Sequence, residues 1–150
     1  MKFEAILQNH VFWTAMAGWF LAQAFKIPID YFRNKQWNWA LFFAAGGMPS
    51  SHSALVTSAA LATGLYNGFD SPVFALSVAI AMVVVYDATG VRRQAGMQAQ
   101  KINIMVEELL RGHPISQKHL IEVIGHTPLE AIGGVLLGLV VAQGLWFVWR

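Results

Sequence analysis

Four short stretches of this sequence collect the side chains able to do polar chemistry: "KIPIDYFR" (Lys26–Arg33), "PSSHS" (Pro49–Ser53), "YDATGVRR" (Tyr86–Arg93) and "GHTPLE" (Gly125–Glu130). Lys26 and Arg33 stand seven positions apart, about two helical turns, and so share a face wherever the segment is helical. They either hold an anion together or are two cations snorkelling to a membrane interface. Pro28, between them, starts a helix more naturally than it continues one. In the second stretch "GGMP" reads as a loop and Ser50 or Ser51 as an N-cap, so a helix begins near His52 with unpaired N–H groups at its start. Such a start attracts phosphate, and a histidine beside it is placed to protonate a leaving oxygen. The plainer reading is a capped helix with an interfacial histidine.

The third stretch ends an apolar run with an acid and two arginines. Arg92 and Arg93 offer forks that match phosphate oxygens, while Asp87 is either a functional acid in apolar surroundings or a structural clamp on one of them. In the fourth, His126 and Glu130 lie four apart, a spacing at which the carboxylate can orient the imidazole. Thr127, Pro128 and Glu130 equally fit a capping box with proline at the first helical position, which leaves His126 outside the helix. The common denominator of the four stretches is recognition of a phosphorylated anion. With no cysteine in the chain, thiol nucleophiles and thiolate metal sites are excluded. His10, His113 and His119 read as exposed or interfacial.

The elements that must position these groups are membrane helices. Apolar residues make up 56% of the 150 residues and charged ones 12%, outside the usual range of a soluble domain. We expect an all-α integral membrane bundle, one domain over 1–150, with about four spanning helices near Val11–Phe25, His52–Leu65, Pro72–Gly90 and Pro128–Trp149. No cleavable signal is expected at the start "MKFEAILQNH". "WNWALFFAAGG" before the second span reads as a half-helix or re-entrant segment broken at Gly46 and Gly47. The polar insert, about 92–127, carries Ile102, Met105, Val106 and Leu109 at amphipathic-helix spacing, stopped by "GHP" at Gly112–Pro114. A short second helix, about Gln117–Ile124, follows it. Gly134 and Gly138 have the spacing of close helix packing, and the paired tryptophans, Trp37 with Trp39 and Trp146 with Trp149, read as interfacial belts.

Four crossings put both termini on one side and all four polar stretches on the other. That second side collects Lys26, Arg33, Lys35, Arg92, Arg93, Lys101, Arg111 and Lys118 against Lys2 and Arg150 opposite, so the charge bias places it in the cytoplasm. The expected location is the cell membrane, multi-pass. Expected partners are a lipid phosphate and membrane lipids, with no nucleic acid among them.

Together these residues resemble the type 2 phosphatidic acid phosphatases, in particular their small divergent bacterial and plastid branch, related to vanadium haloperoxidases. That superfamily carries Lys, six residues, Arg-Pro; Pro-Ser-Gly-His; and Ser-Arg, five residues, His, three residues, Asp. Here Lys26 and Arg33 match the first with Asn34 in place of proline, and Pro49, Ser50, Ser51 and His52 match the second with Ser51 in place of glycine. The third is split by the insert, with Arg92 or Arg93 supplying its arginine and His126 and Glu130 its histidine and acid. The resemblance implies a metal-independent, cofactor-free phosphoric ester hydrolase acting on an isoprenoid or glycerolipid phosphate or diphosphate. His126 would be the nucleophile that becomes phosphohistidine, Glu130 its orienting acid and His52 the proton donor. Lys26, Arg33, Ser50, Ser51 and Arg92 or Arg93 would hold the phosphate. The family's core has six helices against four spans here, so a homodimer is one way to close the site. The rival class is a lipid-phosphate carrier whose cations hold without cleaving, and a third is a small solute transporter.

Overall fold

The computed structural model describes residues 4–44, 46–110 and 126–150, without the side chains at 91–93, 108 and 110. Their regular structure is helical, with no strand among the described residues: α1 (Glu4–Leu7), α2 (His10–Asn34), a 3₁₀ helix (Trp39–Phe43), α3 (Ser51–Asn67), α4 (Pro72–Thr89), α5 (Val91–Leu110) and α6 (Pro128–Trp149). Helix starts follow local chemistry. The side chains of Asn9, Ser50, Ser71 and Thr127 cap α2, α3, α4 and α6, and proline opens both α4 and α6. Gly68, at a φ of 90°, closes α3 where a side chain would be strained.

α2 runs unbroken through Pro28 for 25 residues, contrary to the expectation that proline starts a helix there. The missing N–H costs one backbone bond, but packing on α3 and on the 3₁₀ helix holds the chain helical on both sides of it. The expected half-helix or re-entrant segment is realised as the five-residue 3₁₀ helix. The amphipathic helix of the insert is α5, which begins at Val91 and ends at Leu110, just before "GHP". The second insert helix, about Gln117–Ile124, lies outside the described residues, as do His113 and His119.

Among the described residues two helical runs are long and apolar enough to cross a bilayer, Pro72–Glu107, which contains α4, and α6. The distribution of side chains fits a lipid surrounding. The described core is made of alanines, with Ile27 and Val141 its only larger apolar members, and of hydroxyl side chains such as Thr14, Ser53 and Ser58. Large apolar side chains point outward instead: Leu76, Val83 and Val140 are 61%, 68% and 69% exposed. Water would penalise so much exposed hydrocarbon, whereas lipid tails do not.

α3 sits in the middle, packed on α2, α4 and α6. Small residues recur every four positions on three of these helices: Thr14, Gly18 and Ala22 on α2, Ala54, Ser58 and Ala62 on α3, and Gly134, Gly138 and Ala142 on α6, all buried. Rows at this spacing form ridges that let helices interlock. The backbones approach so closely that a Cβ at Gly138 would lie 2.7 Å from the Ala54 carbonyl oxygen, and one at Gly134 would lie 2.9 Å from Ser53 Cβ. Gly18 faces Ser58 as tightly on the other side of α3.

Gly138→Ala should therefore destabilise the protein by about 1–3 kcal/mol through overpacking, despite alanine's better helix propensity. Gly144→Ala, which meets nothing within 4 Å, should not. Thermal unfolding in detergent checks both, and equal melting temperatures for the two variants would contradict the close α3–α6 contact.

Candidate active site

α3 and α4 form an antiparallel pair joined by the short link 68–71, so the start of α3 and the end of α4 lie together. α6 returns to the same place. The His126 N–H donates to the Ala88 carbonyl at 3.1 Å, and the Ser50 N–H donates to the Glu130 carbonyl at 2.9 Å. These two backbone bonds tie "PSSHS", the end of α4 and "GHTPLE" into one cluster. The imidazole rings of His52 and His126 are 6.3 Å apart between centroids. His126 is buried, 1% exposed, while His52 is partly exposed and lines a cavity of about 290 Å³ with Val83, Val84, Asp87 and Ala88.

Glu130 serves two partners with one oxygen. Its Oε2 accepts from the Thr127 N–H at 3.0 Å, while Thr127 Oγ1 accepts from the Glu130 N–H at 3.3 Å, so the capping box is complete. The same Oε2 lies 3.2 Å from His126 Nδ1. The two readings of Glu130 are therefore compatible, because His126 sits just outside the helix and leans back over its first turn. A carboxylate on Nδ1 favours the tautomer with its proton there and the lone pair on Nε2.

Ser50 is the N-cap of α3. Its Oγ accepts from the Ser53 N–H at 3.3 Å and from the Ser53 hydroxyl at 3.1 Å. Ser50 and Ser51 are both buried, at 0% and 1% exposure, so Ser51 tolerates the place of a glycine without pointing into solvent. The loop ahead of them wraps Lys26. Gly47, at a φ of 91°, lies over the lysine stem, where a Cβ would meet Lys26 Cδ at 3.7 Å. Lys26 is 2% exposed, its Nζ donates to the Ala44 carbonyl at 2.7 Å, and it is attracted by the Glu130 carboxylate. A cation kept so far from water in an apolar bundle is a candidate functional group.

Lys26, Ser50, Ser51, His52, His126 and Glu130 thus converge. Arg33 does not join them in the same way: it is exposed near the end of α2, about 10 Å beyond Lys26 along the axis. A shared helical face put the two cations in line, but Ala44 and Gly47 cover Lys26 whereas Arg33 is exposed. Arg92 and Arg93 belong to the first turn of α5, and their side chains lie outside the described ones, as does any clamp they form with Asp87. His10 is remote, stacked on Tyr66 and tilted against Trp149 at the opposite end of the bundle.

Asp87, read from the sequence as a functional acid or a clamp on an arginine, lines the cavity of His52, to which the antiparallel α3–α4 pair brings it. One group escapes a sequence reading. Gln23 is buried one turn before Lys26 with its Oε1 unpartnered, and its one signal was a polar residue in an apolar run.

Comparison with known proteins gives the family of the chain. The profile of a family described as "Divergent PAP2 family" matches residues 7–141. The uncharacterized membrane protein YuiD of Bacillus subtilis (strain 168) is 38% identical over 145 residues, which cover 89% of this chain and 92% of that one. No solved structure matches. The matched stretch takes in Lys26, His52, His126 and Glu130 alike, and the chain belongs to the Divergent PAP2 family, a group of phosphatase-like membrane proteins.

Proposed function

We propose that this protein is a multi-pass membrane phosphatase that hydrolyses the phosphate monoester or diphosphate of a lipid through a phosphohistidine. The observation that carries the reading is the meeting of His52 with the buried His126–Glu130 pair at the start of α3. His126 Nε2 attacks phosphorus while Glu130 holds the Nδ1 proton; the N–P bond forms as the bond to the lipid oxygen breaks, and His52 protonates that oxygen. Water then attacks the phosphohistidine, His52 takes up its proton, and inorganic phosphate leaves. Lys26, the arginines Arg33 and Arg92 or Arg93, Ser50, Ser51 and the positive end of α3 hold the equatorial charge. Asp87 lines the same cavity as His52.

In this reading α2, α3, α4 and α6 cross the bilayer and the site lies on the cytoplasmic face, where the cations concentrate. A second copy completes the shielding of a bundle smaller than the family core. A carrier of lipid phosphates would use the cations equally well, but it has no need of a carboxylate-oriented imidazole opposite a second histidine.

Purified protein in detergent should release inorganic phosphate from a lipid phosphate with chelator present. His52→Ala should lower kcat by about 10²–10⁴-fold, the usual contribution of a general acid, and His126→Ala should abolish phosphoenzyme and turnover together. Lipid binding without any turnover by the wild type would instead support the carrier. The two tasks of Glu130 separate by substitution. Glu130→Gln keeps the capping box and should lose activity at nearly unchanged melting temperature, while Glu130→Ala should lose activity and also about 1 kcal/mol of stability.

A further inference from the structure

The cavity of about 290 Å³ that His52 lines adjoins the proposed nucleophile, because Ala88 on its wall accepts the His126 N–H at 3.1 Å. Its other walls are Val83, Val84 and Asp87, so among the described residues its polar side chains are one imidazole and one carboxylate. No hydrogen bond or ion pair among the described residues engages the Asp87 carboxylate. The other acid of the cluster, Glu130, accepts from the Thr127 N–H and lies against His126 Nδ1. The charges are unevenly placed as well. Lys26 is drawn to Glu130, whereas the cavity of His52 carries an acid and no cation among its described lining residues. Val83, on the same wall, is 68% exposed, so the cavity borders the surface that faces lipid.

Resting on the lipid-phosphatase reading, we propose that this cavity receives the leaving group and that Asp87 selects a lipid phosphate monoester over a lipid diphosphate. In-line displacement sets the leaving oxygen opposite the attacking nitrogen. With His126 as nucleophile that is the side of His52, whose ring centroid lies 6.3 Å from that of His126. As the bond from Nε2 to phosphorus forms, the bond to the leaving oxygen breaks and His52 gives that oxygen its proton. From a monoester the departing group is a neutral alcohol, whose chain passes beside Val83 into lipid. From a diphosphate attacked at its terminal phosphorus it is the lipid monophosphate, which is still anionic after taking the proton. That anion would meet the Asp87 carboxylate between apolar walls, where like charges repel more strongly than in water. Asp87 is in this way a repulsive element aimed at one substrate and indifferent to the other, the usual means of discriminating between ligands that share a headgroup.

The test compares a prenyl phosphate and the prenyl diphosphate of the same chain as substrates of the full-length protein in bilayer nanodiscs, by initial rates of phosphate release. The wild type should favour the monophosphate in kcat/KM. Asp87→Asn, which keeps the shape and removes the charge, should raise the diphosphate-to-monophosphate ratio by about tenfold, the scale of one like charge about 10 Å away at an effective dielectric of about 20. Asp87→Glu, which keeps the charge, should keep the wild-type preference. A ratio that Asp87→Asn leaves unchanged overturns the proposal, and so does one that Asp87→Glu shifts equally. If Asp87 only clamps Arg92 or Arg93, Asp87→Asn slows both lipids alike, and the unchanged ratio shows it. Should the wild type hydrolyse neither lipid, the phosphatase reading falls and binding of the same two lipids decides. Tighter diphosphate binding by Asp87→Asn, relative to the monophosphate, then keeps the selective role of Asp87, and an unaltered binding ratio removes it.

Discussion

Everything at the polar end of this protein depends on how closely α6 can approach α3. Gly134 lies against the Ser50 carbonyl and Gly138 against that of Ala54, positions at which any side chain collides with backbone. Only at that separation does the Ser50 N–H reach the Glu130 carbonyl and lock the entry of α3 to the first turn of α6. The two histidines stand on the segments so joined. In lipid there is no hydrophobic drive to press helices together, so association falls to van der Waals packing of small residues and to hydrogen bonds. Placing alanine, glycine and serine at the contacts, and leucine, valine and phenylalanine outside, follows from the same cause.

A second consequence concerns the cost of polarity. The cluster lies at the ends of α3, α4 and α6, where helix termini need partners and can share them with functional side chains. Ser50 caps α3 while lining the site, and one oxygen of Glu130 closes the α6 cap while facing His126. Lys26, the deepest of the cations described, is supplied with the Ala44 carbonyl by a loop that turns back over it at Gly47. Burying an ammonium without such partners is expensive in any low-dielectric interior. Economy of this kind lets 150 residues hold a site whose pieces would otherwise require extra helices for support.

Much of this was written locally in the chain. Whereas α2 runs to Asn34, well past the expected end near Phe25, helix starts at Ser50 and Thr127 and the stop near Gly90 rest on a residue and its neighbours within one turn and could be read directly. The same holds for the i, i+4 relation of His126 and Glu130 and for the spacing of Gly134 and Gly138. The segment "WNWALFFAAGG" was harder, because its apolar content suits a half-helix as well as the short 3₁₀ turn it forms. Composition does not distinguish them; the stacking of Trp37 on Tyr31 and on Trp39 is a contact between elements.

By itself, the sequence determined the helical class, the membrane setting, the family and the candidate residues of the polar site, because capping, periodicity and composition act over a few residues. Tertiary structure alone decided which of those residues meet. Lys26 is enclosed and Arg33 left exposed although both lie on one helical face, since Ala44 and Gly47, in the segment after α2, fold back over the first. Asp87 comes to the His52 cavity through the pairing of α3 with α4, and Glu130 keeps both its roles because His126 folds back over the helix it precedes. Those outcomes depend on helix rotation and separation, which are fixed by the packing of distant small residues and not by any local pattern.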